Sequence, residues 1–361
     1  MNGSSWPCLP PAKGTDPHGG PAKGGIGVMK KIINRPENYT LDMLRGIYAA
    51  HKDVVGFVNE DPHCYCRLNK TMGKVAIVTG GGTGHLPLFL GYVGEGLLDG
   101  CAVGNVFQSP SAEQIYEISK AVEAGAGVLY LFGNYSGDVM NFEMAAEFCE
   151  MDGIKTLSVT GTDDVWSAGK GREDHRRGVA GIFFQYKCAG ALASQMASLE
   201  EVYAIAAEVG TRVRTAGFAL SPCILPEVGQ ANFQLADQEI ALGMGIHGEP
   251  GIWNGPIRTA SELVEEIMAA ILADMPIPAD DEVCVLINGL GSTPLDELYI
   301  LYAEVDRVLA SHQIRVDRAY VGEYATSMEM AGASISIFHL TDTLKELMHA
   351  PAHSPFWNNL T

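Results

Sequence analysis

The run "KVAIVTGGGTGH", Lys74 to His85, sets the tightest limit on what this chain can fold into. Consecutive apolar, largely β-branched residues read as a strand buried on both faces, and the glycines after it end the strand abruptly. "LPLFLGYVGEGLL" follows with helical or mixed character. "GVLYLFGNYSGDVMNFEMAAEFCEMDG" repeats the order: a buried strand, a polar glycine-containing loop, then an amphipathic helix from about Met140. "KTLSVT" is another strand and ends in the loop "GTDDVW". Strands that alternate with helices need a sheet covered on both faces, so the expected fold is α/β with mixed, largely parallel sheets. Ligands in such folds sit beyond the carboxyl ends of the strands, which places a substrate crevice at these loops.

Two α/β domains are expected, at 29–211 and 212–361. Ser198 and Glu201 form a capping box for a helix running to about Val209, just before the boundary. The second half carries "GFALSPCILP", a helix at about 260–274, the strand "EVCVLINGLGST", a long amphipathic helix from Pro294 to Gln313, and a last strand "SISIFHL" before a short helix. Residues 1–28, rich in Gly, Pro and Ala without periodicity, read as a disordered tail or extension.

Composition narrows the partners. Apolar residues make up 47% and charged residues 19%, a globular composition. The net charge of −19 argues against nucleic acid and anionic membrane, which need clustered Lys or Arg. The eight cysteines include no CxxC pair. "HCYCR", with His63, Cys64 and Cys66, has no second ligand pair at zinc spacing, so no metal is expected. Reduced thiols and no signal peptide point to the cytoplasm. No apolar run approaches the roughly 20 residues of a membrane helix.

Three loops could carry chemistry. "GGGTGH", Gly80 to His85, ends a strand where N–H groups could cradle an anion or polar ligand; it matches neither the dinucleotide fingerprint nor a P-loop. "NYSGD" delivers Asp138, which can cap a helix starting at Val139 or serve as a general base. "GMGIHGEPG", Gly243 to Gly251, sets His247 among glycines, either as a turn residue in solvent or as a ring held for chemistry. An imidazole and a carboxylate reaching one small molecule would make a catalytic set from His85, Asp138 and His247.

Five segments in order, "GGGTGH", "FQSPS", "NYSGDVMNFEMAAE", "GMGIHGEPG" and "NGLGSTPLDELY", resemble the substrate-binding (K) subunit of dihydroxyacetone kinases, from about Met29 to about Trp357. The resemblance implies that His247 forms a covalent hemiaminal with the substrate carbonyl. Asp138 and His85 would assist as acid, base or hydrogen-bond partners. Gly82, Thr83, Ser109, Gly133 and Asn134 would line the substrate. No cofactor is then expected on this chain; ATP or ADP with Mg would sit on a separate helical L subunit, in some systems served by a third, phosphotransferase-linked subunit. The K subunit is expected to be a homodimer. Two positions depart from the family pattern: Gly133, where many members have lysine, and Leu86, where glutamate is common. Both remove polar groups, so space for a four-carbon ketose such as erythrulose is expected there. The rival functions are a dihydroxyacetone-binding sensor that activates a transcription regulator and a nucleotide-binding dehydrogenase.

Overall fold

The computed structural model describes residues 30–359, so the expectation for residues 1–28 lies outside the described residues. The chain opens with helix α1 (Tyr39–His51) and an antiparallel pair, β1 (Val55–Val58) and β2 (Asp61–Arg67). Strands β3 (Ala76–Gly82), β4 (Gly100–Gly104), β5 (Val128–Gly133) and β6 (Thr156–Gly161) follow, with α2 (Ala112–Val122) before β5 and α3 (Ser136–Met151) after it. They form one six-stranded sheet in the order β1-β2-β4-β3-β5-β6. The four strands β4, β3, β5 and β6 run parallel, so their carboxyl ends open on one side. β3 and β5 are buried along their whole lengths, which is why they read as unbroken apolar runs.

Helices α4 (Ile182–Ser194) and α5 (Leu199–Arg212) lead into the second sheet, and α5 starts on the Ser198/Glu201 capping box. That sheet holds β7 (Val213–Ser221), β10 (Glu239–Leu242), β11 (Trp253–Pro256), β12 (Glu282–Gly289), β13 (Arg315–Gly322) and β14 (Ala331–His339) in the order β11-β10-β7-β14-β12-β13. Two short strands, β8 (Ile224–Leu225) and β9 (Gln230–Ala231), make a separate hairpin. Helices α6 (Ala260–Asp274), α7 (Leu295–Ser311) and α8 (Asp342–His349) complete the fold. Both sheets are mixed, but parallel pairing dominates only in the first; in the second it is confined to β12–β13.

The sheets change over between Arg212 and Val213, yet their cores are not separate. Helix α4 is buried on nearly every face, as its apolar sequence requires. Phe184 packs at a tilt against Phe338 of β14 with ring centroids 5.0 Å apart, and Phe183 meets Trp357 at 5.2 Å. Arg176 adds a bidentate pair to Asp274 at the end of α6, at 2.7 and 2.9 Å. One continuous core therefore fixes the two sheets against each other, as a site built from both of them needs.

Two alternatives left open by the sequence are decided here. No α-helix follows "GGGTGH"; the chain makes short 3-10 turns at Thr83–His85 and Leu90–Tyr92. Pro87, with Gly91, Gly94 and Gly96 packed against the C-terminal segment, prevents a longer helix. Helix α3 begins at Ser136, not Val139, and its N-cap is Tyr135, so Asp138 lies inside the first turn and caps nothing.

Candidate active site

Three adjacent parallel strands, β4, β3 and β5, deliver their terminal loops to one place, and the loop after β10 meets them from the second sheet. His85 and His247 stand edge to face with ring centroids 4.7 Å apart. Phe107, from the "FQSPS" loop, stacks on His85 at 5.0 Å and meets His247 edge-on at 5.3 Å. The two histidines of the expected set are thus brought together from segments far apart in the chain.

His247 sits on a loop that only glycine could build. Gly248 has φ +88, and a Cβ at Gly245 would lie 2.0 Å from Glu249 Oε2. Freed of that Cβ, Glu249 folds back onto its own loop. Its Oε2 accepts from the His247 backbone N–H at 3.0 Å, and its Oε1 lies 2.8 Å from His247 Nδ1. Burial alone would raise the Glu249 pKa, but the His247 hydrogen bond and charge outweigh it and hold the carboxyl down at about 2. An ionised carboxylate can only accept, so Nδ1 carries the proton, and in the neutral ring it is Nε2 that keeps the lone pair. Arg177 stands behind Glu249 at 3.9 Å and is fixed by Asp164 and the Gly243 carbonyl, each at 2.8 Å.

His85 is held differently. It is fully buried, and its Nδ1 donates to the Thr326 carbonyl at 2.8 Å. Burial, reinforced by the neighbouring His247, pushes its pKa down to about 3, so the ring is neutral with Nε2 as an acceptor. That Nε2 has no partner. Asp138 is also buried, and burial raises its pKa to about 6 although the Ser109 hydroxyl donates to it and His247 lies near. Its Oδ1 is unpartnered as well. Two orphaned buried acceptors beside a free imidazole nitrogen are what a small polyhydroxylated ligand would satisfy, since buried polar groups are otherwise paired.

The substrate-lining residues expected from the sequence divide. Ser109 is brought to Asp138, and Gly137 makes room for it: a Cβ there would lie 2.8 Å from Ser109 Oγ. The first glycine loop does not offer its N–H groups to a ligand. Thr83 N–H donates to the Asn105 carbonyl and Gly84 N–H to that of Val106, at 3.2 and 2.7 Å. Gly82 serves packing, because its Cβ would lie 2.4 Å from the Val106 carbonyl oxygen. Thr83 turns its hydroxyl to Thr40 of α1, 3.4 Å away. Asn134 spends both amide protons on the carbonyls of Asp174 and Arg176, at 2.8 Å each, and so positions a loop.

Gly133 and Leu86 do not line a common space. A Cβ at Gly133 would meet the Tyr135 ring at 3.0 Å, so that ring already fills the gap. Leu86 packs toward Met43 and Met328 in a separate cavity of about 370 Å3, and its carbonyl accepts from Thr326 Oγ1. Tyr135 stands edge-on to His247 at 4.7 Å, with its hydroxyl buried and unpartnered.

Glu249, Arg177 and Tyr135 escape the sequence reading. Glu249 stands two residues after His247 among glycines, and Tyr135 lies in the loop that delivers Asp138, so both had a local signal; Arg177 had none, because its role depends on packing. At "HCYCR" the side chains turn to protein partners: His63 Nδ1 donates to the Val103 carbonyl and the Cys64 thiol to Asp61. Among the described residues no helix is long and apolar enough to cross a membrane.

The chain matches known proteins over most of its length. The Dak1 domain model matches residues 45–356. The dihydroxyacetone-binding subunit DhaK of a PTS-dependent dihydroxyacetone kinase from Listeria innocua serovar 6a is 44% identical, over 87% of this chain and 95% of its own length. The D-erythrulose kinase of Mycolicibacterium smegmatis is 40% identical over 91% of this chain but 56% of its own length. The crystal structure of the C. freundii dihydroxyacetone kinase superposes with a TM-score of 0.84 at 29% identity, over 92% of this chain. This chain spans 60% of that one.

Proposed function

The chain belongs to the Dak1 domain family, and from that premise we propose that it is the acceptor-binding unit of a dihydroxyacetone-type ketose kinase, holding a short hydroxyketone for phosphorylation. The observation that carries the mechanism is the His247–Glu249 pair, which fixes the Nδ1–H tautomer and leaves Nε2 as a nucleophile. Nε2 adds to the ketone carbon; the carbonyl π bond breaks, and its oxygen takes up a proton from solvent or from protonated Asp138. The ring's positive charge is met by the ionised Glu249, which keeps accepting the hydrogen bond from Nδ1–H in the adduct. His85 Nε2 accepts a hydrogen bond from a substrate hydroxyl. The ionised Asp138 then removes the proton from the hydroxyl that attacks the phosphoryl group. Capture requires a carbonyl, so glycerol is refused.

The phosphoryl donor comes from a separate helical subunit that carries the nucleotide with Mg, and the chain alone does not turn over. The Listeria relative, itself the dihydroxyacetone-binding subunit of a PTS-dependent kinase, supports the division of labour between subunits. So does the lack of any G-x-x-x-x-G-K-[ST] loop in the sequence. The chain works as a homodimer in the cytoplasm.

The test is carbon-13 NMR of dihydroxyacetone labelled at its carbonyl. With wild-type protein the labelled carbon should move from the ketone region to that of a tetrahedral carbon, and with His247→Ala it should not. An adduct that survives in the variant would overturn the assignment.

A further inference from the structure

The opposite end of β3 from His85 carries a second charged cluster. A cavity of about 180 Å3 is lined there by Arg67, Lys70, Thr71, Lys74 and Asp99, together with the last turn of α2. The Arg67 and Lys74 side chains are only 9% and 5% exposed. They share one carboxylate: Arg67 Nε lies 2.9 Å from Asp99 Oδ1 and Lys74 Nζ 2.6 Å from Oδ2, which also accepts from the Ile77 N–H. Arg67 Nη2 donates to Thr71 Oγ1, and Lys74 Nζ to the Val75 carbonyl. Lys70, exposed at the rim, donates to the Ala121 carbonyl at the end of α2.

The charges do not balance. Three cations face one carboxylate and a helix C-terminus worth about half a negative charge, which leaves roughly one and a half positive charges. That excess stands in a chain whose net charge is −19. Burial lowers the Lys74 pKa, Asp99 opposes this only in part, and Arg67 adds to it. Donors also remain: an ammonium has three N–H groups and a guanidinium five, more than Asp99, Thr71 and Val75 take up.

We propose that this cavity binds a small phosphate-type anion, inorganic phosphate or a short phosphate monoester. The forked guanidinium suits tetrahedral oxygens, and an anion would offset the excess positive charge lining the cavity. The volume lies below the roughly 300 Å3 at which sites for drug-sized ligands begin, so a nucleotide does not fit.

Inorganic phosphate, and glycerol 3-phosphate in a parallel arm, should be titrated into the full chain by calorimetry and thermal unfolding, with chloride holding ionic strength constant. Saturable binding with a rise in Tm is expected from at least one, and it should persist in His247→Ala, which separates this cavity from the proposed active site. Lys70→Ala removes an exposed side chain and leaves the core intact; it should weaken binding about tenfold or more, the value of one charge-assisted hydrogen bond. Arg67→Met should weaken it further. No saturable binding beyond the chloride control would overturn the proposal. So would equal affinity in wild type and both variants, or loss of binding in His247→Ala.

Discussion

His85 and His247 lie 4.7 Å apart and are engaged alike, each through Nδ1, yet they are prepared for opposite work. His85 gives its proton to a backbone carbonyl and is fully buried, so the neutral ring is strongly favoured. His247 gives its proton to an ionised carboxylate and keeps some exposure to solvent. Addition of a ketone carbon at Nε2 puts positive charge on the ring. A carboxylate at Nδ1 meets that charge far better than a carbonyl does. The same residue type thus becomes an acceptor in one loop and a nucleophile in the other, and the partner at the distant nitrogen decides which.

The widest break in that contrast is His247→Ala, which should abolish both the ketone adduct and turnover with a nucleotide-carrying subunit while circular dichroism stays unchanged. If His85 were the nucleophile, the adduct would survive.

Asp138, on the His85 side, should show a large effect of another kind. Asp138→Asn should lower kcat by about 10² to 10⁴ while the adduct still forms, because the proton acceptor acts after capture. In wild type kcat/KM should fall below about pH 6 as this carboxyl protonates, and the variant should lack that limb. Stability should move the other way. A carboxyl raised from 3.8 to about 6 favours the fold fully below pH 4 and loses that advantage as pH rises through 6. By that shift Asp138 costs about 3 kcal/mol at neutral pH. Urea unfolding should therefore find Asp138→Asn the more stable protein at pH 8, with the gap closing toward pH 4. Equal stability at both pH values would mean that the buried charge is compensated.

Glu249→Gln sharpens the comparison further, because it gives His247 a neutral acceptor like that of His85. Adduct formation should weaken by about tenfold to a hundredfold, the difference between a charge-assisted and an ordinary hydrogen bond. Unchanged affinity would show that Glu249 only orients the ring.

The site was legible where chemistry is local and opaque where it depends on packing. Strands β3 and β5 show as apolar runs because both faces are buried, and their terminal loops mark the site directly. The helix expected at about 260–274 spans Ala260–Asp274, and the structure adds a Thr259/Glu262 capping box at its start. Asp138 misled as a cap because Ser136 and Gly137, usual turn residues, already belong to the helix. The antiparallel pairing of β7, β10 and β14 left no trace, because neighbours in that sheet are distant in sequence. Thr83 and Gly84 seemed to offer free N–H groups, but the loop after β4 takes them. Local glycine content cannot reveal a neighbour some twenty residues away.

The smallest expected effect tests where substrate size is set. The sequence suggested that Gly133 leaves room for a longer ketose, but the Tyr135 ring occupies that room and itself stands against His247. Gly133→Ala would place a methyl 3.0 Å from the ring, so Tyr135 must shift by a few tenths of an ångström and carry its contact with His247 along. Such a displacement acts on the nucleophile and not on a subsite, so it should lower kcat/KM several-fold and equally for dihydroxyacetone and erythrulose. The two ketoses share the carbonyl that His247 captures and differ only beyond it. A loss confined to erythrulose would mean that its fourth carbon reaches Gly133 after all. An equal loss would show that Gly133 does not set substrate size.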